Sequence, residues 1–293
     1  GTIQGPLPRS LSTAQQDSGE AEASDDLLMP SRPGSWKRWV LAIVLVAVAG
    51  LGVLGWFERA LIRQWVSGLS RPAAQDDRRK ALDRAHEYFL LDTTSYMDQA
   101  EQIFRDLLKQ DDRDVQAAAG LAEVLTTRAQ YARDQRDLLA SGGRASIEDV
   151  GTLTREAKKL AQVAVLADPG DLAALRALAD ALRLSEDLEG ARKYVDKALD
   201  IAPRDPEVLY VAALIDWDDE VPLDEVLGDL ERIVKRPDAT IRIRYRLALL
   251  YAVAGRKADS REIAKEILDL NSDHLLASKL IESLDSGAFG ASL

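Results

Sequence analysis

Two segments of the chain repeat the same pattern 34 residues apart. The segment that begins at Ala157 reads AKKLAQVAVLADPGDLAA, and the one that begins at Ala191 reads ARKYVDKALDIAPRDPEV. In each copy a second alanine follows seven residues later, at Ala164 or Ala198, and a proline comes five residues after that. Small residues seven apart share one face of a helix, and proline cannot continue a helix. The pattern therefore predicts a repeated helix with one small-residue face and a fixed end.

The repeat and the composition together indicate an all-helical body. Hydrophobic residues make up 46% of the 293 residues, whereas aromatic residues make up only 5%. Alternating runs of valine, isoleucine and threonine, which would indicate strands, are hard to find after residue 60. A chain of this length can bury either one large core or a long stack of small ones. The repetition favours the stack.

Residues 80–285 resemble a tetratricopeptide repeat array, a family of 34-residue helix-turn-helix units. The unit that begins at Leu172 carries large, small and proline residues where the family has them, at Leu175, Leu178, Ala179, Leu182, Ala191, Val195, Ala198 and Pro203. Further units begin near Ala81, Val115, Pro206 and Ile241, and the final HLLASKLIESL resembles a capping helix. The resemblance implies an all-α fold of about five antiparallel helix pairs, wound into a right-handed superhelix.

One unit departs from the family's pattern by an insertion near residues 127–150. The unit that begins at Val115 reaches its second conserved alanine, Ala157, 23 residues late. The inserted segment has a helix-forming sequence on both sides of Gly142. Either both helices of the unit are lengthened into a protruding hairpin, or a small helix is spliced between them. Its role is either that of a tolerated surface insertion or that of a docking element.

The N-terminal part of the chain has a different character. Residues 1–35 are polar, acidic and rich in proline, which predicts a disordered tail. Residues 36–59 contain 19 consecutive uncharged residues from Trp39 to Phe57, enough to cross a hydrocarbon core of about 30 Å. We therefore expect one transmembrane helix, followed by a juxtamembrane helix and hinge over residues 60–79. Residues 286–293 are expected to form a flexible C-terminus.

Charges near the predicted span give a weak signal about its orientation. Lys37 and Arg38 adjoin its short side, which favours a cytoplasmic tail and an extracytoplasmic body. The chain has 27 arginines and 11 lysines, a bias typical of a GC-rich bacterium. These features predict a single-pass protein of a bacterial inner membrane, with the repeat domain in the periplasm.

Several classes of chemistry are disfavoured by the sequence. A net charge of −11 argues against nucleic-acid binding, and the lack of cysteine excludes thiol catalysis and disulfides. His86 and His274 have no metal-ligand spacing, and neither a nucleophile elbow nor a phosphate-binding glycine loop occurs. We therefore expect no catalytic, cofactor-binding or metal site, and no enzymatic activity.

The resemblance also implies where a partner protein binds. In the family, the concave face is built from four positions of each first helix, which here correspond to Gln116, Ala119, Glu123, Thr126, Ala173, Arg176, Asp180, Arg183, Glu207, Tyr210, Leu214, Trp217, Arg242, Tyr245, Leu249 and Ala252. Arginine and aromatic residues dominate binding hot spots. The predicted partner-binding residues are therefore Arg176, Asp180, Arg183, Tyr210, Trp217, Arg242 and Tyr245. In the alternative interpretation, Trp217 packs beneath the nearby corner, and Arg176 and Arg183 only pair with Asp180.

These observations predict a non-enzymatic scaffold for protein-protein interaction, anchored beside an envelope complex for secretion, assembly, pili or motility. Two other functions stay open from the sequence. The chain could be the partner-binding end of a larger enzyme or sensor whose functional domain precedes Gly1. It could also be a self-assembling structural protein, since the oligomeric state is not evident from the sequence.

Overall fold

A computed structural model describes residues 75–138 and 150–289 of the chain. Within these ranges the backbone forms eleven helices and no strands. The helices are α1 (residues 75–91), α2 (Thr94–Gln110), α3 (Val115–Leu138), α4 (Val150–Ala167), α5 (Leu172–Leu184), α6 (Leu188–Ile201), α7 (Pro206–Asp218), α8 (Leu223–Val234), α9 (Ile241–Val253), α10 (Lys257–Leu270) and α11 (Leu275–Ser286). The expected all-α class is confirmed for this part of the chain.

Local sequence signals explain where the helices of the repeat begin. Asp171, Asp187 and Asp205 precede α5, α6 and α7, and each carboxylate accepts a hydrogen bond from a backbone N–H of the first turn. Such caps satisfy amide groups that have no partner inside the helix. Pro206 occupies the first turn of α7, where the missing N–H costs nothing.

The helix pairs pack through the residues that the repeat pattern predicts. In the unit formed by α5 and α6, the side chains at the large and small positions are at most 5% exposed; they are Leu175, Leu178, Ala179, Leu182, Ala191, Val195 and Ala198. Buried alanines let the helix axes approach, and the larger side chains fill the adjacent grooves. One apolar cluster continues through all eleven described helices, from Leu82 to Phe289. The repeating helix pairs are thus confirmed, and each buries its apolar face against its neighbours.

The insertion lengthens both helices of its unit. Helix α3 has 24 residues and α4 has 18, whereas α5 and α6 have 13 and 14. Of the two alternatives for the insertion, the described residues fit longer helices. Residues 139–149, which include Gly142, lie outside the described part of the chain. The described C-terminal end of α3 does not protrude, because Ala129, Gln130, Tyr131, Ala132 and Asp134 are all at most 9% exposed.

Helix α11 closes the far end of the stack. Its inward side carries Leu276, Ala277, Leu280 and Leu284, which are buried. It packs on α10 and also contacts α9 and α3. Gly287 ends the helix at a φ of 71°, a left-handed conformation that glycine adopts without strain. The predicted capping helix is therefore present, and it contacts the long helix of the second pair as well as the last pair.

The predicted tail and transmembrane segment, residues 1–59, lie outside the described residues, as does the juxtamembrane segment as far as residue 74. Among the helices that the structure does describe, none combines the length and the apolar character needed to cross a bilayer.

A matched pair of glycines tests the packing of the stack. In Gly120→Ala the new Cβ would lie 2.4 Å from the buried ring of Phe104, whereas at Gly228, within α8, it would meet nothing within 4 Å. We expect Gly120→Ala to lower the free energy of unfolding by about 1–3 kcal/mol through overpacking. Gly228→Ala should raise it by about 0.5–1 kcal/mol, because alanine loses less backbone entropy in a helix. Urea titrations followed by circular dichroism measure both; equal effects at the two sites would contradict the described contact.

Candidate interaction surface

The residues predicted to face a partner mostly lie together, but they are buried or half-buried. Arg176, Asp180, Tyr210 and Arg242, from α5, α7 and α9, line one cavity beside α3. That cavity has a volume of only about 20 Å³. Roughly 10–15 Å³ is needed to admit a single water molecule. The centre of the concave face is therefore too narrow for a peptide in this conformation.

Arg176 and Arg242 each hold a carboxylate of the neighbouring helix. The Arg176 guanidinium donates two hydrogen bonds to the same oxygen of Glu123, at 2.6 and 2.9 Å. Arg242 pairs likewise with Glu207, its Nε donating at 2.8 Å. The two arginine side chains keep only 15% and 11% of their surface exposed. Charge-assisted pairs of this kind cross-link α3 to α5 and α7 to α9.

Arg183 lies deeper, and its partners come from three helices. Its side chain is 1% exposed, and it donates hydrogen bonds to Asp180 and Asp218 and to the side-chain oxygen of Gln130. The two hydrogen bonds to Asp218 and Gln130 are both 2.7 Å long. The Arg183–Asp180 pair matches the alternative interpretation of the sequence. Arg176, in contrast, pairs with Glu123 and not with Asp180 as that interpretation expects.

The lengthened part of α3 fills the concave face. Asp134 accepts hydrogen bonds from Arg246 of α9 at 2.9 and 3.2 Å, across 112 residues of sequence. The ring of Tyr131 contacts the rings of Tyr245 and His274. These contacts join the second helix pair to the last pair and to α11.

The first helix also reaches the fifth pair. The Arg242 guanidinium lies over the ring of Phe89 of α1, 4.4 Å from its centroid, a distance suited to a cation–π contact. Tyr245, which the sequence placed on the binding face, is fully buried. In this conformation neither Tyr245 nor Arg183 offers surface to another molecule.

Burial dominates the electrostatics of this cluster. Desolvation raises the pKa of Asp134, although the charges of Arg246 and Arg183 oppose the shift. Burial disfavours the charge of Arg246, but the attraction of Asp134 outweighs it and raises the pKa of the guanidinium. Burial also raises the pKa of Tyr210 to about 12, so its hydroxyl keeps its proton at neutral pH. Removing the guanidinium partner of a buried carboxylate leaves an uncompensated charge, which strongly destabilises the folded protein.

Trp217 stands apart from the other predicted residues. It is partly buried and packs against the apolar core at the end of α7. The residues on either side of it, Asp216 and Asp218, accept hydrogen bonds from Arg192 and Arg183. This position agrees with the alternative in which Trp217 packs beneath the corner.

A second, much larger cavity lies at the N-terminal end of the concave face. Its volume is about 700 Å³, and its lining includes Arg78, Arg79, Asp83 and His86 of α1 together with Gln116 and Ala173. Gln116 and Ala173 occupy concave-face positions of the repeat, at the starts of α3 and α5. We call this cavity the N-terminal mouth. Among the described residues, its volume gives the concave face room for a segment of another chain.

An ion pair holds the N-terminal mouth in shape. Arg78 donates two hydrogen bonds of 2.6 Å to the carboxylate of Asp114, which also caps α3 through the N–H of Ala117. Burial opposes the charge of Asp114, but the hydrogen bonds from Arg78 and Ala117 outweigh it and lower the pKa below its ordinary value. The start of α1 is thereby fixed to the start of α3.

The two histidines have structural contacts. His274 caps α11 by accepting a hydrogen bond from the N–H of Ala277 at its Nδ1. The ring of His86 packs edge-on against Phe104, with its Nδ1 3.1 Å from the carbonyl oxygen of Leu82. Across residues 75–138 and 150–289, no three histidine or acidic residues are grouped so that they could hold a metal ion.

Comparison with known proteins gives similarity at the level of structure alone. No protein-family model matches the chain, and no curated protein sequence matches it either. Solved structures similar to it include a thermophilic TPR protein, TTC0263, from Thermus thermophilus, with 20% identity and a TM-score of 0.49 over 71% of this chain and 98% of that one. YrrB, a TPR protein with an unusual peptide-binding site, has 18% identity and a TM-score of 0.36 over 72% and 96% of the two chains.

A third similar structure is MamA from Desulfovibrio magneticus RS-1, with 12% identity and a TM-score of 0.36 over 68% of this chain and 96% of that one. Because the identities and scores are low, the fold assignment rests on this chain's own helix pairs and on their spacing. The fold is tetratricopeptide-like. Its concave face carries the predicted residues of α5, α7 and α9, but its centre is occupied by α3.

The buried pair of Asp134 and Arg246 can be tested by a double-mutant cycle. We expect Asp134→Leu and Arg246→Met each to lower the free energy of unfolding by about 3–5 kcal/mol, because each leaves an unpaired buried charge. The double variant should lose less than the sum of the two by about 1–3 kcal/mol. Chemical denaturation of the four proteins gives the coupling.

A matched control cycle uses the exposed pair of Lys109 and Asp106, whose side chains are 71% and 49% exposed. Its coupling should be no more than about 0.5 kcal/mol. Additive losses at Asp134 and Arg246 would show that the two side chains do not meet in the folded protein.

Proposed function

We propose that the protein is a non-enzymatic scaffold, anchored in a membrane by residues 36–59, that holds a segment of a partner protein in the N-terminal mouth. The observation that carries this proposal is the contrast in volume along the concave face, about 700 Å³ at the mouth and about 20 Å³ at the centre. Ligand pockets commonly range from about 300 to 1,000 Å³. The mouth is in that range, whereas the centre is far below it.

The lining of the N-terminal mouth indicates the kind of partner segment that it would accept. The lining includes Arg78 and Arg79 together with Asp76, Asp83 and Asp171, so that both signs of charge are present. Among the lining residues, Ala173 has a small side chain that leaves space at the start of α5. A polar segment with charges of both signs fits such a lining better than an apolar helix does.

The seven residues predicted from the sequence take two roles in this proposal. Arg176 and Arg242 keep some exposed surface and could contact the end of a bound segment. The other five support the shape of the helix stack through buried or half-buried contacts; they are Asp180, Arg183, Tyr210, Trp217 and Tyr245. A preformed face reduces the ordering cost of binding.

We further propose that the anchor lies in a bacterial inner membrane and that the helix pairs lie in the periplasm, as part of an envelope complex. The support is in the sequence: 19 uncharged residues from Trp39 to Phe57, with Lys37 and Arg38 before them and Glu58 and Arg59 after them. An apolar run of this length spans a bilayer as a helix. Tryptophans at both ends are typical of the membrane interface.

The anchor predicts a clear result in cell fractionation. The full chain should stay in the membrane pellet after an alkaline carbonate wash, and a variant that lacks residues 36–59 should be found in the supernatant. Protease added to intact spheroplasts should digest the helix pairs of the full chain if they lie outside the inner membrane. Release of the full chain by carbonate would contradict the anchor, and protection from protease would reverse the proposed orientation.

The N-terminal mouth can be tested by filling it. Ala173→Trp places a large side chain in the cavity, whereas Leu166→Trp changes a residue of α4 that is 82% exposed and far less constrained. Affinity capture from native membranes, read by mass spectrometry, should lose a partner with Ala173→Trp and keep it with Leu166→Trp. Circular dichroism checks that both variants are folded.

The same capture distinguishes a hetero-partner from a second copy of this chain. Tagged and untagged chains, expressed together, should not be captured with each other if the partner is a different protein. Identical sets of bound proteins for the wild type and Ala173→Trp would show that the N-terminal mouth is not the binding surface.

A further inference from the structure

A polar pocket lies where the beginning of the stack meets its end. Its volume is about 230 Å³, and it is formed by the turn between α1 and α2, by α3 and by the start of α11. We call it the junction pocket; its lining includes Asp92, Met97, Arg128, Tyr131, His274 and Leu275. It shares no lining residue with the N-terminal mouth. Nothing in the proposed scaffold function uses it.

The junction pocket contains a buried carboxylate whose hydrogen bonds are incomplete. Asp92 is only 4% exposed. Its Oδ2 accepts a hydrogen bond of 2.7 Å from the hydroxyl of Tyr131, but its Oδ1 has no hydrogen-bond partner among the described residues. Leaving a buried, charged acceptor unpaired is costly, so such groups are rare unless they have a role.

The backbone turn at the end of α1 fixes the position of this carboxylate. Asp92 has a φ of 56°, in the left-handed region that only a small share of non-glycine residues adopt. Its backbone N–H donates to the carbonyl oxygen of Phe89 and so closes the turn at the end of α1. Glu186 and Glu220 adopt the same conformation, with the same backbone hydrogen bond, in the corresponding turns of later helix pairs, so this φ belongs to the repeat and serves here to orient the Asp92 carboxylate.

The basic groups that line the junction pocket leave Asp92 Oδ1 without a donor. His274 accepts a hydrogen bond at Nδ1 from a backbone N–H, so its proton is on Nε2 and the ring is neutral. Its Nε2 lies 3.4 Å from Asp92 Oδ2 but makes no hydrogen bond there. The guanidinium of Arg128 is engaged by Asp98 at 2.6 Å and by Glu101 at 2.8 Å. Asp92 is the only carboxylate among the residues that line the junction pocket, and neither Arg128 nor His274 donates a hydrogen bond to its Oδ1.

The remaining walls select the shape of that cation. Met97, Ala132, Leu275 and Leu276 give the pocket an apolar side next to its polar end. Such a surface suits the methylene chain of an amine whose charged end reaches the carboxylate, as buried lysine stems do. The hydroxyl oxygen of Tyr131 can serve as a second acceptor, because it donates its only proton to Asp92.

We propose that the junction pocket binds a primary ammonium group on a short alkyl chain, with Asp92 Oδ1 and the Tyr131 hydroxyl oxygen as its acceptors. The ammonium belongs either to a lysine side chain of a protein or to a free small amine. An ammonium ion supplies three N–H donors and no acceptor, which matches an unpaired carboxylate oxygen beside a second oxygen.

The test uses the full chain in detergent micelles and isothermal titration calorimetry with n-butylammonium, and with n-butanol as the neutral analogue of the same length. Butylammonium should bind and butanol should bind at least 10-fold more weakly. Asp92→Asn removes the charge, and asparagine tolerates the left-handed backbone of this turn. This variant should weaken butylammonium binding at least 10-fold. Asp112→Asn, which changes an exposed acid outside the pocket by the same charge, should bind as the wild type does.

Two further ligands distinguish the sources of the ammonium. Tighter binding of Nα-acetyl-lysine amide than of butylammonium supports a lysine side chain, and tighter binding of 1,4-diaminobutane supports a free amine. If Asp92→Asn is misfolded by circular dichroism, Leu275→Trp serves as a second variant, since it narrows the pocket without changing its charge. No binding of butylammonium, or equal binding by Asp92→Asn and the wild type, would overturn the proposal.

Discussion

A helix pair of 34 residues cannot bury its own apolar face, and every other feature of this structure follows from how that face is covered. Stacking covers it on two sides, as Leu175, Leu178 and Ala198 show by their near-complete burial. Stacked pairs leave a concave side that is normally open to solvent. Here the long helix α3 occupies the centre of that side. The array thus gains a second core, which is polar and lies between α3 and the first helices of the later pairs.

This second core is stable only because its charges are paired. Arg176 meets Glu123, Arg242 meets Glu207 and Arg246 meets Asp134, so that each buried guanidinium has a carboxylate on a neighbouring element. Replacing one partner leaves a buried charge, which is far more harmful than replacing both. Paired charges with fixed geometry also define one arrangement of the helices. A concave face built in this way is rigid, and binding is directed to its open end.

The sequence predicts the pairs of helices well because their signals are local. Alanine spacing, aspartate caps and the prolines at Pro169 and Pro203 all act within one turn of the residue concerned. The pairing of Arg176 with Glu123 is also predictable from the sequence, since both residues occupy concave-face positions on adjacent first helices. The inward position of the end of α3 is not predictable from the sequence, because Gln130 and Asp134 are polar and a hydrophobic pattern assigns them to the surface. Their partners, Arg183 and Arg246, lie 53 and 112 residues away.

Contacts between the first and last helices of the stack change how stability is distributed along such an array. In an open stack each pair contacts only its neighbours, and stability is close to a sum of local terms. Here Tyr131 and Asp92 contact His274 and Asn271 donates to the carbonyl oxygen of Leu91, so the last helices also hold the first. Loss of the final pair would therefore weaken the first pair directly. The junction pocket lies where these contacts join the first and last helices. A ligand that binds there only while the contacts are formed stabilises the joined arrangement by mass action. Occupancy of the pocket and integrity of the concave face are then linked through Tyr131, which lines the pocket and packs against Tyr245.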